Sequence, residues 1–338
     1  MLLNLIKDWA PFQIDALGLV TILGATEVDT CVGRLVHDCL TEWLPLLGAY
    51  TIASGQVTKP ISGFVLYNIT DGIMSTDLSC WFTRWLLSLP LTYSATVLRV
   101  RPVARQLPVQ RRLLAKCIGL VIFIVIVVLA ATTGDWWGLA NAMAMALSVL
   151  VRRVIVGQNR KAVDVAMQQA QEIADQEVKV FVTIPSGKSL TIYAPRMVVV
   201  NCFLSGPQPP SPRIYWAMRS IGWASFGIHV IALGMTCLFN QILTVCVLAG
   251  SSVVAVLQIG DFQSLIGTEL DFDIALGDPN ATRRVAYAKL NLSTKEEESM
   301  ILWSMFPHKT NEFWWSRYRA IYGSLQETVP FPPSKQSS

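Results

Sequence analysis

Long apolar segments occur in two pairs along the chain, and each pair is joined by a very short polar turn. The first pair covers residues 113–156 and the second covers residues 213–259. A helix needs about 20 predominantly apolar residues to cross the hydrocarbon core of a bilayer. The pattern therefore predicts a mainly α, integral membrane protein with two transmembrane helical hairpins.

The first hairpin has the clearest pattern. Residues 117–132 form an uncharged run rich in Val and Ile, and the polar turn that follows ends at Asp135. Trp136 and Trp137 open the second run, and their amphipathic rings suit the boundary between hydrocarbon and headgroups. We therefore expect this turn to lie at a membrane surface.

Small residues recur at every fourth position on two faces of the helix after that turn. They allow the backbones of two membrane helices to approach closely. Two interpretations follow, tight packing inside the chain or a homo-oligomer interface. The small residues are Gly138, Ala142 and Ala146 on one face, and Ala140, Ala144 and Ser148 on the other.

The second hairpin is predicted to have spans at residues 220–239 and 242–259, with Asn240 and Gln241 as the turn. Basic residues, which are enriched on cytoplasmic flanks, predict the orientation of both hairpins. They are Arg99, Arg101, Arg105, Arg111, Arg112 and Lys116 before the first span, Arg152, Arg153, Arg160 and Lys161 after the second, and Arg213, Arg219, Arg283, Arg284 and Lys289 around the second hairpin. We therefore expect the insert between the hairpins and the C-terminus to be cytosolic.

Residues 1–98 are predicted to form an N-terminal membrane-associated region with an amphipathic helix. Apolar side chains follow helical spacing through residues 32–44, with charged residues on the opposite face. Residues 81–98 are apolar but interrupted by Arg84, which leaves an interfacial helix, a re-entrant segment or a fifth span as alternatives. Whether residues 12–25 cross the membrane is also left open.

Residues 157–212 are predicted to be a small cytosolic α+β insert. Residues 163–174 carry the apolar stripe of a helix. Residues 178–184 then alternate in polarity, and the chain returns through residues 190–194 after a Pro-Ser-Gly-Lys turn, which predicts a β-hairpin. Residues 197–204 are expected to add a third strand before a proline-rich connector.

Residues 260–326 are predicted to be a helical cytosolic tail, and residues 327–338 to be disordered. Ser293 and Glu296 match a capping box, in which two side chains satisfy backbone N–H groups at the start of a helix. A later helix is crowded with aromatic residues, suited to the headgroup level or to packing beneath the bundle. These are Phe313, Trp314, Trp315 and Tyr318.

Composition supports the membrane interpretation. Apolar residues make up 52% of the chain, only 15% are charged and the mean hydropathy is +0.45, all more apolar than a typical soluble domain. The formal net charge of +4 gives no indication of nucleic-acid binding. Seven cysteines are dispersed without a CxxC pair, which favours packing over metal binding, and no motif identifies a cofactor.

Acidic residues that follow the last apolar run give rise to a metal hypothesis. Glu269, Asp271 and Asp273 lie between Asp261 and Asp278, and carboxylate oxygens are ligands of hard cations such as Mg²⁺. The spacing matches neither an Asp-rich diphosphate motif nor an EF-hand loop. Solvated loop acids are the alternative.

His229 is the only ionisable side chain well inside the four predicted spans, which makes it a candidate for proton or ligand contact. A neutral imidazole hydrogen-bonded across the bundle is the alternative.

The chain has no HExxH, Gly-x-Ser-x-Gly, Rossmann or complete P-loop motif. We therefore expect a non-catalytic accessory or scaffold protein that contacts the bilayer and a protein partner. The alternative is an integral membrane enzyme that acts on a lipid or isoprenoid substrate through Asp271 and Asp273 with His229 or interfacial aromatic residues. A transporter or channel is the third possibility.

Two segments carry a resemblance to known sequences. TIPSGKSLTIYAP at residues 183–195 and AYAKLNLSTKEEESMILWSMFPHKTNEFWWSRY at residues 286–318 resemble uncharacterised multi-pass membrane proteins of filamentous fungi. The resemblance implies the same architecture of spans, insert and tail. It implies no activity, cofactor or site residue.

Overall fold

Helices make up most of the fold, and the described strands form one sheet. The computed structural model describes residues 25–37, 40–46, 52–89, 91, 96–102, 109–172, 176–206, 208–259, 265–267, 269–275 and 283–325. The helices are α1 (Ala25–Gly33), α2 (Cys80–Ser88), α3 (Val109–Thr132), α4 (Trp136–Glu172), α5 (Pro212–Met235), α6 (Leu238–Ile259), α7 (Arg283–Lys289), α8 (Thr294–Leu302) and α9 (Glu312–Leu325).

Within the described residues, three helices are long and apolar enough to cross a membrane. The segments are Arg112–Thr132 in α3, Trp136–Gln171 in α4 and Leu238–Leu257 in α6. Apolar side chains of α3, among them Val121 and Val128, are more than half exposed, as expected where lipid replaces water. The fold is therefore mostly helical, with three candidate spans and a small sheet.

Helix α4 runs without interruption from the first turn into the insert. Its 37 residues extend about 55 Å at 1.5 Å per residue, well beyond a hydrocarbon core of about 30 Å. The predicted insert helix at residues 163–174 is thus the end of this helix as far as Glu172, and residues 173–175 lie outside the described residues. One rigid element connects the apolar bundle to the sheet.

The second turn lies earlier than the sequence predicts. Helix α5 ends at Met235 and α6 begins at Leu238, so Asn240 and Gln241 belong to α6. The Gln241 side chain donates to the carbonyl oxygens of Leu233 and Thr236. These amides were predicted as the turn because they interrupt the apolar run, but within α6 Gln241 binds the second turn and Asn240 donates to Asp135 in the first turn.

Segments far apart in sequence supply the strands. These are β1 (Val65–Asn68), β2 (Ile73–Ser75), β3 (Thr96–Pro102), β4 (Glu177–Thr183), β5 (Ser189–Pro195) and β6 (Leu270–Ala275), in the spatial order β2-β1-β4-β5-β3-β6. The predicted β-hairpin is confirmed, with Val180 paired to Ile192. Its turn contains Gly187 at φ +77°, a conformation that glycine adopts readily. The insert hairpin lies inside a six-stranded sheet that also includes N-terminal and tail strands.

The prediction of a third strand at residues 197–204 is wrong. Residues Arg196–Val198 are helical, and Val199–Leu204 form one π-helical turn. The carbonyl oxygen of Cys202 accepts hydrogen bonds from Ser79 Oγ at 2.7 Å and from Trp81 Nε1 at 3.1 Å. A short continuous apolar run has no periodicity that separates strand from helix, and these tertiary contacts favour the helical turn.

Residues 81–98 do not form a continuous span. They contain α2, nine residues or about 13 Å long, and the first residues of β3, where Leu98 pairs with Ile192 and Ile274. Arg84, which interrupts the apolar pattern, is buried and forms a salt bridge with Asp29 at 2.9 Å. The apolar residues described in this segment therefore belong to a protein core. Of residues 12–25, the structure describes only Ala25.

The prediction of an amphipathic helix at residues 32–44 is wrong, because only Val32 and Gly33 are helical, at the end of α1, among the residues described there. Two residues after α1 ends, Leu35 has a φ of 56°, in the left-handed region. Val32, Val36 and Leu44 are nevertheless buried in the main core together with α2, the second half of α4 and one face of the sheet. The apolar pattern thus identified the core residues but not their secondary structure.

The tail helices pack on the opposite face of the sheet. Phe181 of β4 lies in a second core with Tyr287, Phe306, Trp315 and Tyr318. The capping box of α8 is present as predicted. Trp315 and Tyr318 of α9 therefore belong to the core that covers this face of the sheet, and Tyr318 is 1% exposed.

Candidate functional site

The acidic residues proposed as metal ligands lie at one edge of the sheet. Asp271 and Asp273 are on β6, opposite Arg101 and Arg99 in the register with β3, and Asp273 forms a salt bridge with Arg101. Glu269 accepts a hydrogen bond from Gln168 of α4 at 2.6 Å. Asp273 thus has a basic partner across the sheet, and Glu269 has an amide partner on α4.

In the described part of the chain, no group of three or more His, Cys, Asp or Glu side chains is arranged to hold a metal ion. Asp261 and Asp278 lie outside the described residues. The acidic edge is instead part of a charged row, because Arg99 also makes two 2.8 Å hydrogen bonds to Glu177 on β4. Charge pairing across the sheet explains these acids without a metal ligand.

His229 lies on α5 and is partly buried. Its Nδ1 atom is buried and has no hydrogen-bond partner among the residues that the structure describes. The structure does not bring His229 into contact with Asp271 or Asp273 in any described hydrogen bond or salt bridge. The three residues that were predicted to act together are thus not shown to form one site.

A basic pocket lies where α3 and α4 meet the N-terminal segment. Its volume is about 350 Å³, at the lower end of the usual range for small-molecule sites. The lining residues are Cys31, Val32, Val36, His37, Thr41, Glu42, Trp43, Arg112, Lys116, Arg152, Arg153, Val156, Gly157 and Arg160. Among these described residues five basic side chains face one carboxylate, so positive charge dominates.

Helical spacing brings the basic residues together. Arg112 and Lys116 are four residues apart at the start of α3, while Arg152, Arg153 and Arg160 lie on one face of α4. Helices α3 and α4 form a hairpin, so the start of α3 lies beside α4 just after its apolar run. In the sequence these residues mark the orientation of the hairpin, and their i, i+4 and i, i+8 spacing also indicates a shared face.

Arg152 is the most deeply buried of these side chains, at 3% exposure. Its Nη2 atom donates to the carbonyl oxygen of Leu44. Its Nε and Nη1 atoms have no hydrogen-bond partner within the described ranges. Buried guanidinium donors without partners are costly, and Arg152 is one of the residues that line the pocket.

Arg160 and Glu42 also line the basic pocket. Arg160 donates to the carbonyl oxygens of Leu35 and Val36 and forms a salt bridge with Glu42. Burial alone would raise the pKa of Glu42, but His37 and Arg160 together lower it to about 2. The Glu42 carboxylate is therefore charged at neutral pH, and Arg160 is committed to structural contacts.

Trp43 closes the pocket toward the apolar bundle. The guanidinium of Arg153 lies 3.5 Å from the centroid of its ring, and the Lys116 ammonium lies at 5.6 Å, both within cation–π range. Gly119 permits this approach, because a Cβ atom there would lie 2.7 Å from the Trp43 carbonyl oxygen. The loop that carries Trp43 can therefore lie directly on α3.

An apolar groove between α3 and α4 adjoins the basic pocket. Trp43 and Lys116 line both cavities, and the groove has a volume of about 180 Å³. Its other lining residues are Pro45, Gly119, Leu120, Ile122, Phe123, Ile126, Met145, Ala146 and Val149. A charged pocket thus lies beside a groove in which Lys116 is the one charged residue among the described lining residues.

Another cavity, of about 390 Å³, lies beside Tyr215 and Trp216 at the start of α5. None of its described lining residues is charged. The basic pocket is therefore the stronger candidate for recognition of a charged ligand.

No known family matches the chain, and neither a curated protein nor a solved structure matches it. The resemblance to fungal membrane proteins stays a prediction.

Proposed function

We propose that this chain is a non-catalytic, multi-pass integral membrane protein that binds a phosphate-bearing anion in the basic pocket. In this proposal the pocket anchors the sheet and its tail helices at the membrane surface, as an accessory or scaffold protein requires. Buried Arg152 carries the argument, because two of its donors lack partners inside a wall of excess positive charge. Phosphate oxygens match guanidinium donors in charge and geometry.

We further propose that α5 crosses the membrane as a fourth span. It falls short of the three candidate spans in hydropathy because Arg219, His229 and several Gly and Ser residues interrupt it. Its contacts nevertheless follow α4 through the apolar stretch in antiparallel order. The three contacts are Thr236 with Asp135, Ser225 with Ala144, and Gly222 with Val151.

The same contacts favour internal packing for the small-residue faces of α4. Gly138, Ala142, Ala144 and Ser148 are buried within this chain. A Cβ atom on Gly138 would lie 2.9 Å from the Asn240 side chain. The homo-oligomer interface is therefore not needed to explain these residues.

The proposed orientation places the basic pocket in the cytosolic leaflet. Five basic side chains gather at that end of the bundle, and such residues are retained in the cytosol during insertion. The cytosolic surface of membranes is rich in anionic lipids, which would supply phosphate groups at this level. The enzyme alternative is less well supported, because Asp273 is paired with Arg101.

A thermal-shift titration of the full chain in a neutral detergent tests the anion site, with inorganic phosphate as the probe and chloride at the same ionic strength as reference. Phosphate should raise the Tm of the wild type, since a ligand that binds only the folded state stabilises it. The variant Arg112→Gln with Lys116→Gln should lose this shift. Both residues are exposed, so the substitutions leave the core intact.

Arg317→Gln with Arg319→Gln is the matched control, because it removes two exposed charges from α9, outside the pocket. It should keep the phosphate-dependent shift of the wild type. Equal shifts in the wild type, the pocket variant and the control would overturn the proposed function, as would no shift in any of them.

A further inference from the structure

The basic pocket and the apolar groove lie next to each other. Lys116 and Trp43 line both, so a ligand can contact the cationic pocket and the groove at once. Beyond Lys116, the uncharged groove residues of α3 extend from Gly119 to Ile126, about 10 Å along the helix axis. That distance is roughly a third of a hydrocarbon core of about 30 Å, and therefore lies within one leaflet.

The chemistry changes sharply along this path. At one end Arg112, Arg152 and Arg153 offer guanidinium groups, and at the other Ile122, Phe123 and Met145 offer only hydrocarbon. A free phosphate would use the first part alone. A molecule with a phosphate headgroup and a hydrocarbon chain matches both parts in the same order, from membrane surface to interior.

We propose that the ligand is a phospholipid whose headgroup phosphate lies in the basic pocket and whose hydrocarbon chain lies in the groove between α3 and α4. This inference rests on the proposed function and adds the class of ligand. Trp43 separates the two parts, with its ring against Arg153 on the pocket side. Charge complementarity at the pocket determines which end of the lipid enters there.

The test measures how tightly the full protein chain, in a neutral detergent, binds long-chain phosphatidate and inorganic phosphate. Diacylglycerol is the third ligand, because it has the hydrocarbon chains but no phosphate. Phosphatidate should bind at least tenfold more tightly than either of the other two. Ala146→Phe places a large side chain in the groove and should weaken phosphatidate binding about tenfold, the effect of removing roughly two methylene groups from contact. It should leave the affinity for inorganic phosphate unchanged.

Ala131→Phe is the matched control, since Ala131 is exposed near the other end of α3 and does not line the groove. It should bind phosphatidate like the wild type. A second groove variant, Val149→Phe, repeats the test if Ala146→Phe fails to fold.

The outcomes separate the two proposals. In one outcome the groove variants bind phosphatidate like the wild type while Arg112→Gln with Lys116→Gln binds it more weakly. In that case the hydrocarbon chain of the lipid does not lie in the groove, and the lipid inference is wrong. If the basic variant weakens neither phosphatidate nor phosphate, the anion site itself is wrong.

Discussion

The carboxylate of Asp135 accepts a hydrogen bond of 2.9 Å from the side-chain amide of Asn240, which connects the turn after α3 to the start of α6. Oδ2 of the same carboxylate also accepts from Thr236 Oγ1 and from the backbone N–H of Cys237, while Oδ1 caps α4 through Gly138 N–H at 2.9 Å. Burial alone would raise the pKa of Asp135, but these hydrogen bonds hold it well below its usual range. One aspartate thus joins both turns of the bundle.

Asp135→Ala should lower the free energy of unfolding by about 3 kcal/mol, because it leaves several buried donors without an acceptor. Asp77→Ala, which removes an exposed aspartate, should change it by less than about 0.5 kcal/mol. Denaturation of both variants in the same detergent measures the difference. Similar stabilities would show that the Asp135 network contributes little.

Glu42→Gln should remove an acid-sensitive part of the stability. The pKa of Glu42 is lowered from 4.5 to about 2, so its contribution is present above about pH 4.5 and is lost as the pH falls toward about 2. The partners that face it are His37 and Arg160. Tm measured against pH should therefore fall more steeply in the wild type than in the variant across this window, and parallel curves would contradict the prediction.

Trp315→Ala should destabilise the protein by about 3–5 kcal/mol, the usual cost of removing a large aromatic side chain from a core. Trp315 is 6% exposed and packs in the second core, whereas Phe313 on the same helix is 67% exposed. Phe313→Ala should therefore have an effect below about 1 kcal/mol. Limited proteolysis near Gly187 should increase only in the first variant if α9 protects the sheet.

Asp271→Asn with Asp273→Asn should reduce stability by no more than about 1 kcal/mol, because the pair of Asp273 with Arg101 is partly exposed. Mg²⁺ should not change the Tm of the wild type. A Mg²⁺-dependent stabilisation that disappears in the double variant would restore the metal hypothesis and with it the enzyme alternative.

Ser186→Cys should react with a membrane-impermeant thiol reagent only from the cytosol, and Gly134→Cys only from the opposite side. The reason is the cost of carrying the basic flanks of α3 and α4 across the bilayer. The background should carry Cys117→Ser and Cys246→Ser, since both thiols are exposed. Labelling of Ser186→Cys from outside the cytosol would reverse the proposed orientation.

Local features of the fold were predictable from the sequence. The apolar run of α3, the capping box at Ser293 and the turn at Gly187 depend on residues close together in the chain, so a short window contains their physical cause. The same holds for the basic flanks, which were recognised as a group although their pocket was not. Periodicity and caps report on neighbours within about one or two helical turns.

Tertiary structure decided where those elements meet. Strand β3 pairs with β5 and β6, which follow it by roughly a hundred residues or more, and no local pattern encodes such a pairing. Residues 197–204 and Asn240 were misjudged because contacts from distant segments determine their conformation. The pocket around Arg152 likewise needs α3, α4 and the N-terminal segment together. The sequence by itself determined which residues are apolar, whereas only the packing of distant segments determined which of them stay exposed, which form a core and which basic side chains converge.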